Sequence, residues 1–157
     1  MSKRTKGRVL ARINSLAPGF RGRCQLFLIL AADQGIPLRV TQGRRSKLQQ
    51  GALYAQGRES RKVVNTLRQK AGMAKLRFWQ RNRKVTGLPP GSSKHEYGLA
   101  MDIVPMKWQQ WLLPDWASPY WDELGELGNL CGLTWGGKWR NPDRPHFEDP
   151  EPIPRPE

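Results

Sequence analysis

The sequence SKHEYGLAMDIV, residues 93–104, decides the fold because it joins a polar turn to a segment typical of a buried strand. Residues 99–104 are apolar except for Asp102, which lies between Met101 and Ile103. Burying an unpaired carboxylate costs free energy. We therefore expect Asp102 to have a partner, and that partner is a proton, a cation or a metal ion.

Both histidines of the chain occur near carboxylates in the sequence. His95 precedes Asp102 in HEYGLAMD, and His146 follows Asp143 in DRPHFE. Two imidazoles and one carboxylate are a common ligand set for catalytic zinc, which keeps a further position for water. The pattern predicts one Zn²⁺ held by His95, Asp102 and His146, which would also neutralise Asp102. The competing interpretation is that each histidine is an ordinary surface or core residue.

Carboxylates close to these ligands are candidates for the general base of a hydrolytic reaction. Asp143 is the first choice because it lies three residues before His146, in a loop restricted by Pro145. Glu148 shares a strand face with His146 if the segment alternates, which makes it the second candidate or a partner of the ligands. Glu96 is the third candidate.

The composition is that of a strongly basic globular protein. Its 27 Lys and Arg against 13 Asp and Glu give a formal net charge of +14. Such a surface favours nucleic acid, anionic lipid headgroups or an anionic cell-wall polymer. We expect Cys24 and Cys131 to be buried free thiols. The longest apolar run, residues 26–32, is too short to cross a bilayer, and the basic arm before it is not typical of a signal peptide.

Helical periodicity mixed with short, separated strands predicts an α+β fold. We expect one domain over residues 1–149, with a basic helical insertion at about 58–83, and a proline-rich tail over 150–157. The elements that the pattern predicts are helices over 21–34, 47–56, 58–83 and from Ser118-Pro119 to about 132, a strand at 38–42, a strand at 99–104, and a hairpin of 134–139 with 144–148.

Three blocks of the sequence resemble the D-Ala-D-Ala-type zinc peptidases, in the L-alanyl-D-glutamate peptidase branch that includes many bacteriophage endolysins. SKHEYGLAMD, residues 93–102, resembles the family signature S-x-H-x-x-G-x-A-x-D. WGGKWRNPDRPHFE, residues 135–148, resembles the second metal block of that branch, and VTQGRRSKLQQGALYAQGR, residues 40–58, resembles its strand, Arg-Ser turn and helix. The blocks occur in the family's order over about half of the chain, which makes the match specific.

The resemblance implies a hedgehog/DD-peptidase-like α+β fold, in which a small antiparallel sheet carries one zinc ion and helices flank the sheet. It places the zinc ligands on His95, Asp102 and His146 and the general base on Asp143. It adds Arg45 as the cation that holds the substrate carbonyl or the oxyanion, a role suited to a fixed guanidinium. It also adds Ser93 as a group behind the ligands and Gln50 as a substrate contact.

The sequence departs from the family pattern at two places. Arg44 stands where the family commonly has an aromatic residue, so Arg44 and Arg45 are both candidates for the site arginine. The basic segment 58–83 stands where the family has a short loop; we favour a solvated helix over attraction to anionic envelope polymers or membranes. Trp135 and Trp139 flank the second metal block and are expected to line the substrate groove.

These features predict a zinc-dependent peptidoglycan endopeptidase of endolysin type, which cleaves the L-Ala–D-Glu bond of the stem peptide with metal-activated water. We expect a monomer that is made in the bacterial cytoplasm without a signal peptide and released to the cell wall by a holin-like partner. A D-Ala-D-Ala carboxypeptidase or dipeptidase of the same fold is the alternative. The alternative that is not an enzyme is a basic nucleic-acid-binding protein. The peptidase, in contrast, requires no nucleic acid as a partner.

Overall fold

The computed structural model describes residues 10–108 and 112–154. The chain falls into two compact units. One unit, formed by the described residues within 1–44 and 97–157, is called the sheet unit below, and the other, residues 45–96, is called the helical unit. The assignment of residues 1–149 to one domain and of 150–157 to a tail stays a prediction. In the described part of the chain, no helix is both long enough and apolar enough to span a bilayer.

The sheet unit is organised by a five-stranded antiparallel sheet. The strand order is β1-β2-β5-β4, and β3 pairs with β2 beside this path. The small antiparallel sheet with helices around it confirms the predicted α+β fold, and β1 has the predicted bounds. The strands are β1 (Leu38–Gln42), β2 (Ala100–Trp108), β3 (Leu112–Pro114), β4 (Thr134–Trp135) and β5 (His146–Glu148).

The described residues form helices in both units, and residues 10–14 are also helical. The first and last of the helices pack against the sheet, where their buried faces share one apolar core with the strands. The second and third form the helical unit. The helices are α1 (Pro18–Asp33), α2 (Lys47–Ala55), α3 (Arg61–Lys70) and α4 (Trp121–Leu130).

Helix α4 carries two glycines on the face that meets the core. A Cβ atom on Gly125 would lie 2.0 Å from the Trp135 ring, and one on Gly128 would lie 2.5 Å from the Phe147 ring. Both rings are buried, so the absent side chains leave the space that the rings fill. The helix begins at Trp121 and not at the predicted Ser118, because the Ser118 hydroxyl accepts a hydrogen bond from the Tyr120 N–H in the preceding turn (3.3 Å).

Helix α2 begins at a capping box. The Ser46 hydroxyl accepts from the Gln49 N–H (3.1 Å), and the Gln49 side chain accepts from the Ser46 N–H (2.9 Å). Two otherwise unsatisfied donors of the first turn are thereby paired. The sequence prediction of this start at Ser46 is confirmed.

Helix α3 is shorter than the predicted basic helix over 58–83. It ends at Lys70, and Gly72 adopts φ +69°, a left-handed conformation that favours glycine and commonly terminates a helix. Residues 73–83 continue without helix. On this helix Val64 is fully buried, whereas its neighbour Val63 is exposed.

Candidate metal centre

The pairing of β2 with β5 sets two of the predicted ligands opposite each other. In the antiparallel register Asp102 lies across from His146. Residues in that relation have closely spaced side chains on the same face. The His146 Nδ1 atom lies 3.1 Å from Asp102 Oδ1. The Ile103 N–H, which donates to the Pro145 carbonyl (2.9 Å), extends the pairing toward the loop.

Strand β1, which pairs with the other edge of β2, is irregular where it lies opposite Asp102. The β1–β2 register shifts between Val40 and Gln42, and Gln42 pairs with Asp102. Within this irregularity the Thr41 hydroxyl donates to the Asp102 carbonyl (3.2 Å). Bulges bend a strand and re-aim its side chains, and they are frequent beside active sites. The bulge therefore fixes the backbone from which Asp102 projects.

Glu148 is the second carboxylate on the His146 ring. As strand alternation predicted, it faces the same side as His146, and its Oε2 lies 3.0 Å from His146 Nε2. Burial disfavours a charged ring, but the hydrogen bonds and charges of Asp102 and Glu148 outweigh it and raise the pKa of His146 from 6.5 to about 9. The two carboxylates thus make this position favourable for positive charge.

His95 lies on a short 3-10 turn, Lys94–Tyr97, and its side chain is buried. Its carbonyl accepts from the Arg45 N–H (2.9 Å). The Glu96 carboxylate accepts from the Gly91 N–H (2.9 Å) and the Ser93 N–H (3.2 Å), so it fixes the loop that leads to His95. Ser93 is buried in this loop.

His95, Asp102 and His146 each offer one ligand atom, and these atoms lie within 4.8 Å of one another. Two imidazole nitrogens and one carboxylate oxygen are a donor set that suits zinc. The residues present therefore fit a single divalent cation, and their spacing lies within the distance that a shared ion can bridge after small side-chain adjustments.

Asp143 lies in the exposed loop before β5. Its N–H donates to the Gly136 carbonyl (2.9 Å), and its carbonyl accepts from the His146 N–H (3.1 Å). A Cβ atom on Gly136 would lie 2.8 Å from the Asp143 carbonyl oxygen and 3.3 Å from His146 Cβ. Gly136 is a residue that the sequence analysis missed; its signal is the Gly-Gly pair between the two tryptophans. The role of Asp143 as base stays a prediction.

The two candidate arginines differ in their surroundings. Arg44 is exposed, whereas Arg45 is half-buried and its Nη1 donates to the Gln50 Oε1 (2.8 Å). Gln50 is fully buried, and its Nε2 donates to the Leu88 carbonyl (2.6 Å). The structure therefore holds Arg45 in place through Gln50, a function that the sequence analysis did not foresee for this glutamine.

The two tryptophans of the second block lie in different surroundings. Trp135 is only 5% exposed; it is a core residue whose Nε1 donates to the Arg144 carbonyl (2.8 Å). Trp135 is buried because Gly125 of α4, which has no side chain, leaves room for its ring. This contact between distant segments is not visible in the local sequence. Trp139 is 40% exposed, and its ring centroid lies 5.1 Å from that of His146. Trp139 thus lies beside the ring of a predicted ligand, and its role in a substrate groove stays a prediction.

Comparisons with known proteins agree with the predicted resemblance. Residues 86–149 match a family described as D-alanyl-D-alanine carboxypeptidase. The chain is 30% identical over 128 residues to the peptidoglycan L-alanyl-D-glutamate endopeptidase CwlK of Bacillus subtilis (strain 168), an alignment that covers 75% of this chain. The chain spans 64% of the length of this curated relative.

Solved structures with the same fold include two peptidases. One is the vancomycin-resistance D,D-pentapeptidase VanY from a VanB-type cassette in complex with Zn(II), with a TM-score of 0.55 and 15% identity over 85% of this chain and 72% of that one. The other is the LD-carboxypeptidase LdcB, with a TM-score of 0.55 and 16% identity over 85% of this chain and 58% of that one. These similarities confirm the predicted fold class.

Proposed function

We propose, from the match of residues 86–149 to the D-alanyl-D-alanine carboxypeptidase family, that the protein is a zinc-dependent peptidase of bacterial peptidoglycan. The observation that carries the proposal is the convergence of His95, Asp102 and His146, whose ligand atoms lie within 4.8 Å of one another. Nucleic-acid binding gives no account of this convergence. The substrate in this proposal is the stem peptide, because the curated relative is an endopeptidase of peptidoglycan.

His95, Asp102 and His146 hold one zinc ion in this proposal. Nδ1 of His146 faces Asp102 and Nε2 faces Glu148, so Nδ1 is the nitrogen on the ligand side and Glu148 orients the ring from behind. When bound, the ion supplies Lewis-acid chemistry: it lowers the pKa of water and polarises a carbonyl. The protein's part is to fix the ligands: the β2–β5 register and the β1 bulge fix Asp102 and His146, and the turn held by Glu96 fixes His95.

Asp143 is the general base in this proposal. Asp143 lies in an exposed loop, and its backbone is tied on one side to Gly136 and on the other to His146. The Glu148 carboxylate, in contrast, lies within hydrogen-bond distance of the His146 ring, which favours a supporting role for it. Asp143 takes the proton from the attacking water and passes it to the leaving amine.

Arg45 binds the substrate carbonyl or the developing oxyanion in this proposal. Its guanidinium is held by the buried Gln50, and its backbone N–H is bonded to the carbonyl of His95. A fixed cation stabilises charge that develops in the transition state without having to reorganise. Trp139, which is exposed beside His146, offers a wall for the peptide. Ser93 supports the loop that carries the first ligand.

The bond that we propose is L-Ala–D-Glu, with an endolysin-type role of a monomeric enzyme that a holin-like partner releases to the wall. The family description favours a second candidate, the D-Ala-D-Ala carboxypeptidase. Digestion of purified sacculi with the zinc-loaded protein, followed by mass spectrometry of the muropeptides, separates them. New free amines on D-Glu support the endopeptidase, and release of D-Ala alone selects the carboxypeptidase. No product from zinc-loaded protein would overturn both.

A further inference from the structure

The helical unit carries most of the chain's net positive charge. Its residues, 45–96, include 13 Lys and Arg against two Glu, a formal +11 of the chain's +14. The sequence has no acidic residue between Glu59 and Glu96. The acids are too few to neutralise the cations of this unit, so its surface attracts polyanions.

Two large aromatic side chains project from this basic surface. Phe78 is 87% exposed and Trp79 is 60% exposed. Their rings meet edge to face with centroids 4.7 Å apart, and the Arg77 guanidinium lies 5.2 Å from the centre of the Trp79 ring. Adjacent exposed aromatics form an apolar patch of a kind that marks interaction sites. We call residues 77–80 the aromatic turn.

Hydrogen bonds from neighbouring side chains hold the backbone of the aromatic turn. The Arg61 guanidinium donates to the Arg77 carbonyl (2.8 Å) and to the Gln80 carbonyl (2.6 Å), and the Gln80 side chain accepts from the Arg77 N–H (2.8 Å). Just before the turn, Leu76 is buried, and its N–H donates to the Asn65 side chain (2.8 Å). The backbone is thus held so that one apolar side chain enters the core while the next two aromatic ones face solvent.

Five exposed cations lie within six residues of the aromatic pair in the sequence. Aromatic rings favour the level of lipid headgroups, and Lys and Arg near them attract anionic lipids. Exposed apolar side chains ringed by cations are the composition of surfaces that bind a membrane without spanning it. The exposed cations of this segment are Lys75, Arg77, Arg81, Arg83 and Lys84.

We propose that the aromatic turn docks the protein on the surface of an anionic phospholipid bilayer. Phe78 and Trp79 enter the interfacial region, and the surrounding cations face the phosphate headgroups. Single-stranded nucleic acid is a weaker fit, because consecutive bases need ring faces to stack on, whereas these rings are perpendicular and Arg77 lies over Trp79. The proposal goes beyond the peptidase function and does not rest on it.

The test is sedimentation of the full chain with phosphatidylglycerol-containing vesicles and with pure phosphatidylcholine vesicles. We expect binding to the anionic vesicles only, and we expect high salt to weaken it. The double variant Phe78→Ala/Trp79→Ala loses about tenfold or more in partition coefficient. Lys75→Gln and Arg81→Gln each lose about fivefold. The matched control is Trp116→Ala in the sheet unit, since Trp116 is 57% exposed and should leave binding unchanged.

Circular dichroism of each variant confirms that it is folded. The proposal is overturned if the wild-type chain ignores the anionic vesicles or if the double variant binds them as the wild type does. A single-stranded oligonucleotide is the competitor in a parallel assay. If it binds more tightly than the vesicles and loses affinity in the same double variant, the surface is a nucleic-acid site and the lipid assignment is wrong.

Discussion

Replacement of Gln50 by methionine should remove one hydrogen-bond partner of Arg45 while keeping the size of the buried side chain. Gln50 is fully buried and links two groups: it accepts from the Arg45 guanidinium (2.8 Å) and donates to the Leu88 carbonyl (2.6 Å). Methionine fills similar volume but can form neither bond. The variant therefore separates the hydrogen bonding of this position from its packing.

The expected loss follows from the two bonds. A hydrogen bond to a charged partner contributes about 1.5–3 kcal/mol and a neutral one about 0.5–1.5 kcal/mol. Together they predict that Gln50→Met lowers the free energy of unfolding by about 2–4.5 kcal/mol. If Arg45 stabilises the developing oxyanion, its misplacement also lowers kcat by about 100-fold, the usual effect of removing one such donor.

The assay is urea unfolding followed by circular dichroism, together with kcat and KM on a soluble stem peptide. Gln69→Met is the matched control, because Gln69 is exposed on α3, and it should change the free energy of unfolding by less than about 0.5 kcal/mol. A Gln50→Met protein that is as stable as this control would refute the buried link. A destabilised but folded variant with unchanged kcat would refute the role of Gln50 in positioning Arg45.

Three further predictions concern other parts of the molecule. Asp143→Ala should keep its zinc but lose about 10²–10⁴-fold in kcat; a nearly fully active variant would exclude it as base. Gly128→Ala should lower the free energy of unfolding by about 1–3 kcal/mol, because its Cβ would lie 2.5 Å from the buried Phe147 ring. The control is Gly19→Ala in α1, where a Cβ meets nothing within 4 Å, and calorimetry should find this variant at least as stable as wild type. Burial raises the pKa of Cys24 from 9.0 to about 12, so the contribution of this thiol to the free energy of unfolding is complete below pH 9 and declines as the pH rises toward 12. The native thiol should not react with a disulfide reagent at neutral pH, and rapid reaction would contradict its burial.

Local sequence patterns predicted the parts of the fold that local physics determines. Strand β1 and the start of α2 follow from side-chain alternation and from the Ser46–Gln49 capping box. That Asp102 has a partner was also predictable, because it interrupts an apolar strand; the structure pairs it with His146. The signal for His146 was its carboxylate-rich, proline-bounded segment.

Tertiary packing determined what the sequence analysis missed. An exception is the end of the predicted 58–83 helix at Lys70, for which the Ala71-Gly72 pair is a local signal that the sequence analysis overlooked. Trp135 is buried because α4 presents Gly125 to it, a relation between segments that are distant along the chain. Gln50 supports Arg45 from a fully buried position, and burial of a polar residue on a helix is not visible in periodicity.

Zinc content per chain tests the central claim most directly. Inductively coupled plasma mass spectrometry of the purified wild-type protein, after incubation with zinc and removal of unbound metal, should find one ion per chain. His146→Ala and Asp102→Ala, both folded by circular dichroism, should retain almost none. A wild-type protein without bound zinc, or variants that keep a full equivalent, would contradict a metal site formed by His95, Asp102 and His146.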